Sequence, residues 1–302
     1  MEKAILRTLI YADLFDFPLT GEELWQRLIW EGKSSSAQPP EEEFETCLRK
    51  LNRTEKIERQ KSFYFLSGRG RIVESRKKHL DYSQKKLKKA VAASRFLKLI
   101  PLVRLVAVTG SVASENAKHG DDIDLFLITS AGRIWTTRFL VTLLVSLLGV
   151  RRRPGQKKFK DKICLNLYLD EGHLGIFKKE QDLFLAYEIY QLKVLWQRGE
   201  TYQKFLSANT WIKKLLPNGF DKKLFKFKED HPNRFNYLSR VSNSLWGRVE
   251  KTLYLFQLWW MRKKRTTETA KSYLIAFHPA DERSRILERF KQKTFSIDHL
   301  PI

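Results

Sequence analysis

Cysteine is nearly absent from this chain. Cys47 and Cys164 are the only two, too few for a disulfide framework or a structural zinc site. Acidic residues are short as well: thirty-four Asp and Glu stand against fifty-seven Lys and Arg, leaving a formal charge of +23. Such an excess concentrates polyanions (nucleic acid, nucleotides, acidic membrane) around a protein, or serves only as a solvated basic surface. Long apolar runs are missing too. Phe139 to Val150 (FLVTLLVSLLGV) stops at twelve residues, short of the ~20 that span a bilayer as a helix. A buried helix covering a sheet is expected there, and no membrane partner. The opening MEKAILRTLIYADLF lacks a basic n-region, a clean apolar core and a small-residue cleavage site, so no signal peptide is read and a cytoplasmic location is expected.

What is present is core material. Hydrophobic residues make up 42% and aromatics 13%, which excludes global disorder, and 302 residues leave room for two or three domains. Residues 1–67 read as three helices and a hairpin. Ile5, Leu6, Leu9, Ile10 and Leu14 stripe the first helix. Thr20 and Glu23 form a capping box for the second, with Leu19 and Leu24 set for a hydrophobic staple. Pro39-Pro40-Glu41-Glu42-Glu43 starts the third, which buries Phe44, Cys47, Leu48 and Leu51 and leaves Arg49, Lys50 and Arg53 outward. Lys56 to Leu66 supplies two short strands around a Gln60-Lys61 turn. This pattern resembles a winged-helix domain. The resemblance implies duplex DNA contact through Arg49, Lys50 and Arg53, or else protein docking or a structural cap.

Residues 68–100 read as a basic linker helix ending before Pro101. Residues 101–190 alternate strand and helix signals: strands at Val103–Val108, Asp122–Thr129 and Lys162–Leu169, a short helix at Val112–Lys118 and a longer one at Ile134–Val150. From Asp182 onward the chain reads as mainly helical, with helices expected over Leu183–Trp196, Tyr202–Leu216, Phe235–Met261 and Asp281–Lys293, and residues 191–302 form a helical C-terminal region. The fold class is therefore mixed α+β.

The chemistry gathers in VTGSVASENAKHGDDIDLFLIT, residues 108–129. On a strand, Asp122 and Asp124 project together, about 6–7 Å apart at the backbone, while Ile123, Leu125 and Leu127 bury the other face. Two bare carboxylates repel. A divalent cation such as Mg²⁺ removes that conflict, and it typically takes one or two carboxylates plus substrate phosphates. Gly110 lets the backbone approach a ligand closely, Ser111 adds a hydroxyl, and N–H groups at a helix start suit phosphate.

Gly110-Ser111, ten residues, then Asp122-Ile123-Asp124 resembles the signature of the DNA polymerase β superfamily of nucleotidyltransferases, in its minimal form. With the winged-helix pattern and Phe277-His278-Pro279 near the end, the chain is also similar to uncharacterised bacterial nucleotidyltransferase-domain proteins. The resemblance implies that Gly110 and Ser111 hold the phosphates of an NTP, and that Asp122 and Asp124 bind Mg²⁺ or Mn²⁺. The activity it implies is transfer of a nucleoside monophosphate to an acceptor: an RNA end, a protein hydroxyl or a small molecule.

Two departures stand out. The family's third carboxylate aligns with Asn166, which can ligate through its amide oxygen but cannot act as a base; Asp170 on the same face would lie ~13 Å further along. The family's glycine five residues after the first is Glu115 here. The alternative is therefore a nucleic-acid-binding regulator or a toxin–antitoxin component, keeping the fold as a relic or a nucleotide sensor. The basic stretch after the Phe139–Val150 run, with Arg151, Arg152 and Arg153, is placed either to contact nucleic acid or to move freely in solvent. Tyr254 to Met261 is expected to be a buried aromatic helix.

Overall fold

Val103–Val108 carries six residues of which five are buried, and such a run needs cover on both faces. The computed structural model describes residues 1–30, 39–153, 155–220, 243–262, 269–270, 273–276 and 280–298. Its elements, in chain order, are α1 (Glu2–Asp13), β1 (Leu19–Thr20), α2 (Gly21–Gln26), α3 (Glu41–Arg53), β2 (Ile57–Gln60), β3 (Phe63–Leu66), α4 (Ile72–Leu97), β4 (Val103–Val108), α5 (Gly110–Ala113), β5 (Ile123–Thr129), α6 (Ile134–Leu147), β6 (Ile163–Asp170), α7 (Leu183–Gln191), β7 (Lys193–Gln197), α8 (Thr201–Ser207), α9 (Asn243–Arg262), β8 (Thr269–Ala270), β9 (Leu274–Ala276) and α10 (Ala280–Asp298). The class is α+β, as expected.

Six strands form one sheet in the order β7-β4-β5-β6-β9-β8. Among the described strand pairs of this sheet only β5–β6 is parallel. On one face Val106, Val108, Ile123, Leu125 and Leu127 pack under α4, α6 and α9. On the other, Leu105, Ala107, Phe126 and Ile128 meet α1, α7, α8 and α10. The result is a sheet between two helical layers.

Among the described residues up to Leu66, the three helices and the hairpin form where expected, with one addition. The capping box closes both ways, the Glu23 N–H donating to Thr20 Oγ1 at 3.1 Å and the Thr20 N–H to Glu23 Oε2 at 2.9 Å. Phe44, Leu48 and Leu51 bury the inner side of α3. The hairpin β2–β3 turns at Lys61, whose φ of 56° takes the left-handed conformation without an Asn-Gly pair, and β1 adds a third strand to it.

Four expectations need correction. Leu183–Trp196 is not one helix: α7 ends at Gln191 and Lys193–Gln197 turns into β7, paired with β4. A short apolar run fits helix or strand equally, and the free edge of β4 decides. Because β7, β8 and β9 come from beyond residue 190, the sheet is not confined to 101–190. Tyr202–Leu216 breaks into α8 and a 3₁₀ turn, Thr210–Lys214. There the buried Asn209 amide donates to the carbonyls of Phe205 and Leu174 at 2.8 Å each, competing with helix continuation. Neither α6 nor the Tyr254–Met261 stretch is buried all round: α6 covers the sheet with Val141 and Val145, yet Leu143 and Leu147 are exposed, and α9 exposes Leu255 and Trp259. The Phe277-His278-Pro279 stretch lies outside the described residues, as do 235–242 of the expected α9.

Helix α4 is the predicted linker helix, and it holds an internal tie that pattern reading missed. Lys86 is 2% exposed, and its Nζ donates to the Asp121 carbonyl at 2.6 Å and to Asp161 Oδ1 at 2.7 Å. Burial alone would raise the Asp161 carboxyl; the hydrogen bonds from Lys86 and Lys89 outweigh it and hold the carboxyl below its ordinary value. Removing one member of a buried pair strands the other. Lys86→Met should therefore cost about 3 kcal/mol in urea unfolding at neutral pH. A carboxyl depressed by folding contributes stability above its unfolded value of about 3.9, lost as pH falls through the folded value. The variant's stability should accordingly fall less steeply than the parent's below about pH 4. Identical unfolding midpoints in the two proteins would contradict the tie.

Candidate functional site

The site is built where β4 ends. Thr109 is extended, and Gly110 then turns the chain with φ +64°. The predicted Val112–Lys118 helix is in fact a single turn, Gly110–Ala113, stopped at Glu115, which takes φ +63°. A turn this short brings little macrodipole, though its first N–H groups still lack acceptors within the turn. Glu115 occupies a conformation that glycine adopts freely, and its charge is matched: Lys193 Nζ lies 2.6 Å from Oε1 and Arg76 3.5 Å from Oε2. Burial would raise this carboxyl; Lys193 and Arg76 together keep it lowered.

Asp122 and Asp124 do share a face. With Cys164 they offer ligand atoms all within 4.8 Å of one another. Gly110 stands directly against the pair, since a Cβ built on it would lie 3.0 Å from Asp124 Oδ2. Ser111 points elsewhere than expected: its hydroxyl donates to Asp121 Oδ2 at 3.0 Å, an oxygen that also receives the Lys118 N–H at 2.8 Å. The turn and the acid-bearing loop are thereby tied together.

Asn166 lands beside the pair through a bulge. Leu125 pairs with Leu165 but Phe126 pairs with Leu167, so Asn166 is the extra residue on β6. Its Nδ2 donates to Asp124 Oδ1 at 3.2 Å, and the residue is 1% exposed. Bulges redirect side chains in this way next to sites. The same shift corrects the expected faces of β6. Ile163 and Leu165 pack with Tyr168 on one side while Leu167 and Leu169 pack on the other. Asp170 therefore does not follow Asn166 toward the acids; its carboxylate accepts the N–H groups of Gly132 at 2.6 Å and Gly172 at 2.7 Å and caps loops there.

Arg152 is the second unexpected partner. Its guanidinium hydrogen-bonds and ion-pairs with Asp122 while stacking over Phe159. Burial would lower this arginine; the Asp122 hydrogen bond and charge hold it raised. Arg151 turns away to the Ser146 hydroxyl at 3.4 Å, and Arg153 is exposed. The predicted basic triplet is thus split, with one member at the acids and two outside. Arg49, Lys50 and Arg53 lie exposed on α3 with Lys50 paired to Glu2 at 2.6 Å, and none lines the cavity described next.

That cavity holds about 290 Å³ and opens from Gly110, Ser111 and Asp124 toward the N-terminal module. Phe15, Phe17 and Arg27 wall one side, and Glu188 of α7 another. The module is held in place by contacts around the rim: Tyr11 stacks on Tyr187 at 4.2 Å, and Asn116 Nδ2 donates to the Phe15 carbonyl at 2.8 Å. Glu188 Oε2 accepts the Thr109 hydroxyl at 2.6 Å, which fixes a carboxylate one residue from Gly110. Pattern reading missed Glu188. The signal was available: it is the only charged residue in LFLAYEIYQ.

No protein-family model, curated protein or solved structure matches this chain.

Gly110→Ala combines a left-handed φ with a clash against Asp124, and should destabilise the protein by about 1–2 kcal/mol in thermal unfolding. Gly120→Ala meets nothing within 4 Å and should stay within about 0.5 kcal/mol of the parent. Equal losses in the two variants would mean that the Gly110–Asp124 approach is not a constraint.

Proposed function

We propose that this protein is a divalent-metal-dependent nucleotidyltransferase of the DNA polymerase β superfamily type, with a winged-helix-like N-terminal module. It would transfer a nucleoside monophosphate from an NTP to an acceptor hydroxyl. The observation that carries the reading is the closure of the Gly110 turn onto an aspartate pair that shares one face, beside a cavity. Of the three converging donors, the two carboxylates fit a hard cation such as Mg²⁺ or Mn²⁺, which prefers oxygen ligands, and the Cys164 thiol does not. Asp122 and Asp124 would hold it, and when bound it supplies charge neutralisation for the phosphates.

The chain's own residues do the rest. Gly110 keeps the backbone N–H groups of the turn open to phosphate, since any Cβ would crowd Asp124. Asn166 holds the Asp124 carboxylate in one orientation. Arg152 must leave Asp122 before both acids can serve together. The acceptor oxygen attacks the α-phosphorus, the bond to the β-phosphate oxygen breaks, and pyrophosphate leaves. Glu188, oriented by Thr109, is the carboxylate that takes the acceptor proton, a task Asn166 cannot perform.

One observation favours a second reading. Both acids already have partners, Arg152 and Asn166, which suits a regulator that senses nucleotides without catalysis. Calorimetric titration of ATP, CTP, GTP and UTP with Mg²⁺ should give binding that Asp122→Asn with Asp124→Asn weakens about tenfold or more. Unchanged affinity in that isosteric double variant removes the site. Label transferred from an α-labelled NTP to a component of a cell extract supports the enzyme; binding without transfer supports the sensor.

A further inference from the structure

The helical layer formed by α4, α6 and α9 has an anomalous outer surface. All three pack on the same face of the sheet, and α6 touches both of the others. Their outer sides therefore point in one direction, away from the sheet. On those sides Phe96 and Leu99 of the α4 end, Leu143 and Leu147 of α6, and Leu255 and Trp259 of α9 are exposed, Leu147 by 76%, Leu99 by 70% and Trp259 by 62%. Scattered exposed apolar residues are ordinary; their collection on one layer marks an interaction surface.

Beyond the first half of α4, which carries Glu74 and Asp81, the outward charges on this layer have a single sign. From Tyr82 to Ile100 there is no Asp or Glu, and none from Ser130 to Lys160. The lone carboxylate of α9, Glu250, is turned inward onto the start of α6, accepting the N–H groups of Trp135 at 2.7 Å and Thr136 at 2.9 Å. Lys88, Arg95, Lys98 and Lys251 are exposed among the apolar side chains. Just past the end of α6, Arg151, Arg153 and Lys162 line a shallow hollow of about 500 Å³ with Ser146 and Gln156, and no carboxylate lines it.

That combination selects the occupant. A second copy docking on the part of this face that bears Leu99, Leu143, Leu147 and Trp259 would set cations against cations, the exposed acids of α4 being confined to its first half. A nucleic acid would satisfy the cations but leave Leu99 and Leu147 in water. A bilayer surface bearing anionic lipids takes both: apolar side chains enter at the headgroup boundary, and Lys and Arg meet the lipid phosphates. We propose that α4, α6 and α9 form a peripheral docking face for acidic membrane, with the Arg151–Arg153–Lys162 hollow receiving a lipid headgroup phosphate. Among the described residues no helix is long and apolar enough to cross a membrane; the proposed contact is with the bilayer surface. This proposal does not depend on the nucleotidyltransferase reading.

Flotation of the full chain with vesicles tests it. The protein should float with vesicles containing phosphatidylglycerol and not with phosphatidylcholine alone. Leu143→Gln with Leu147→Gln, both on exposed positions, should weaken that partitioning about tenfold, and Arg151→Gln with Arg153→Gln by a similar factor. No flotation with phosphatidylglycerol, or flotation that the leucine variants leave unchanged, overturns the proposal. Two further outcomes overturn it in favour of other occupants: a dimer in sedimentation that the leucine variants abolish, or anisotropy of a labelled single-stranded RNA that loses its binding in those same variants while flotation persists.

Discussion

Asp124 sits against the Gly110 turn so closely that a Cβ at residue 110 would crowd its carboxylate, 3.0 Å away. Everything at the site follows from that approach. The turn takes φ +64°, and the carboxylate lies 3.0 Å from where a Cβ would be. Asn166 then keeps Asp124 from swinging away, and Asn166 reaches it through a bulge that places one extra residue opposite β5. The bulge reverses the faces of the rest of β6, which puts Tyr168 into one core and Leu169 into the other. A local requirement of the acid pair is thus written into the packing of both sides of the sheet.

Around this point the chain matches each buried charge with a partner from a distant element. Arg76 of α4 joins Glu23 of α2 to Glu115 beyond the turn, and Lys193 of β7 completes that set. Lys86 gathers the Asp121 carbonyl and Asp161. Arg152 closes over Asp122. In a chain with a formal charge of +23, cations are abundant enough to supply these ties. The glutamate at position 115 illustrates the exchange. A glycine there would take φ +63° without strain, whereas the glutamate accepts a strained backbone and in return ties the N-terminal module to the sheet.

The parts of the site that could be read from sequence are those governed by local rules. Strand alternation put Asp122 and Asp124 on one face, and the glycine's conformational freedom marked the turn. The capping box at Thr20 is local in the same sense and formed as expected. What escaped depends on contacts that no local pattern encodes. Residues 193–197 became a strand because β4 had a free edge. Ser111 turned to Asp121 because that loop folded back over it. Asp170 left the expected face because a bulge, which has no sequence code of its own here, intervened. Glu188 and Arg152 reached the site from α7 and from the loop after α6, elements separated from Gly110 by dozens of residues.

The two helical layers divide the protein's chemistry. The layer of α1, α7 and α10 walls the cavity and brings carboxylates to it, Glu188 and Glu282 beside Asp124. In the layer of α4, α6 and α9, Glu250 is turned inward, the acids Glu74 and Asp81 stay in the first half of α4, and the rest of the layer presents cations and apolar groups outward. Arg151 to Arg153 stand at the boundary. Hydrogen bonds to Ile163 from the Arg152 N–H and to the Val150 carbonyl from the Ile163 N–H, at 2.8 Å each, hold this stretch beside β6 in extended form. Successive side chains of an extended backbone alternate, so Arg152 reaches the acids while Arg151 and Arg153 reach the outer hollow. The residue between Arg151 and Arg153 is the one paired with Asp122. The outer surface and the acid pair are therefore joined by three consecutive residues of backbone, with no long relay needed between them.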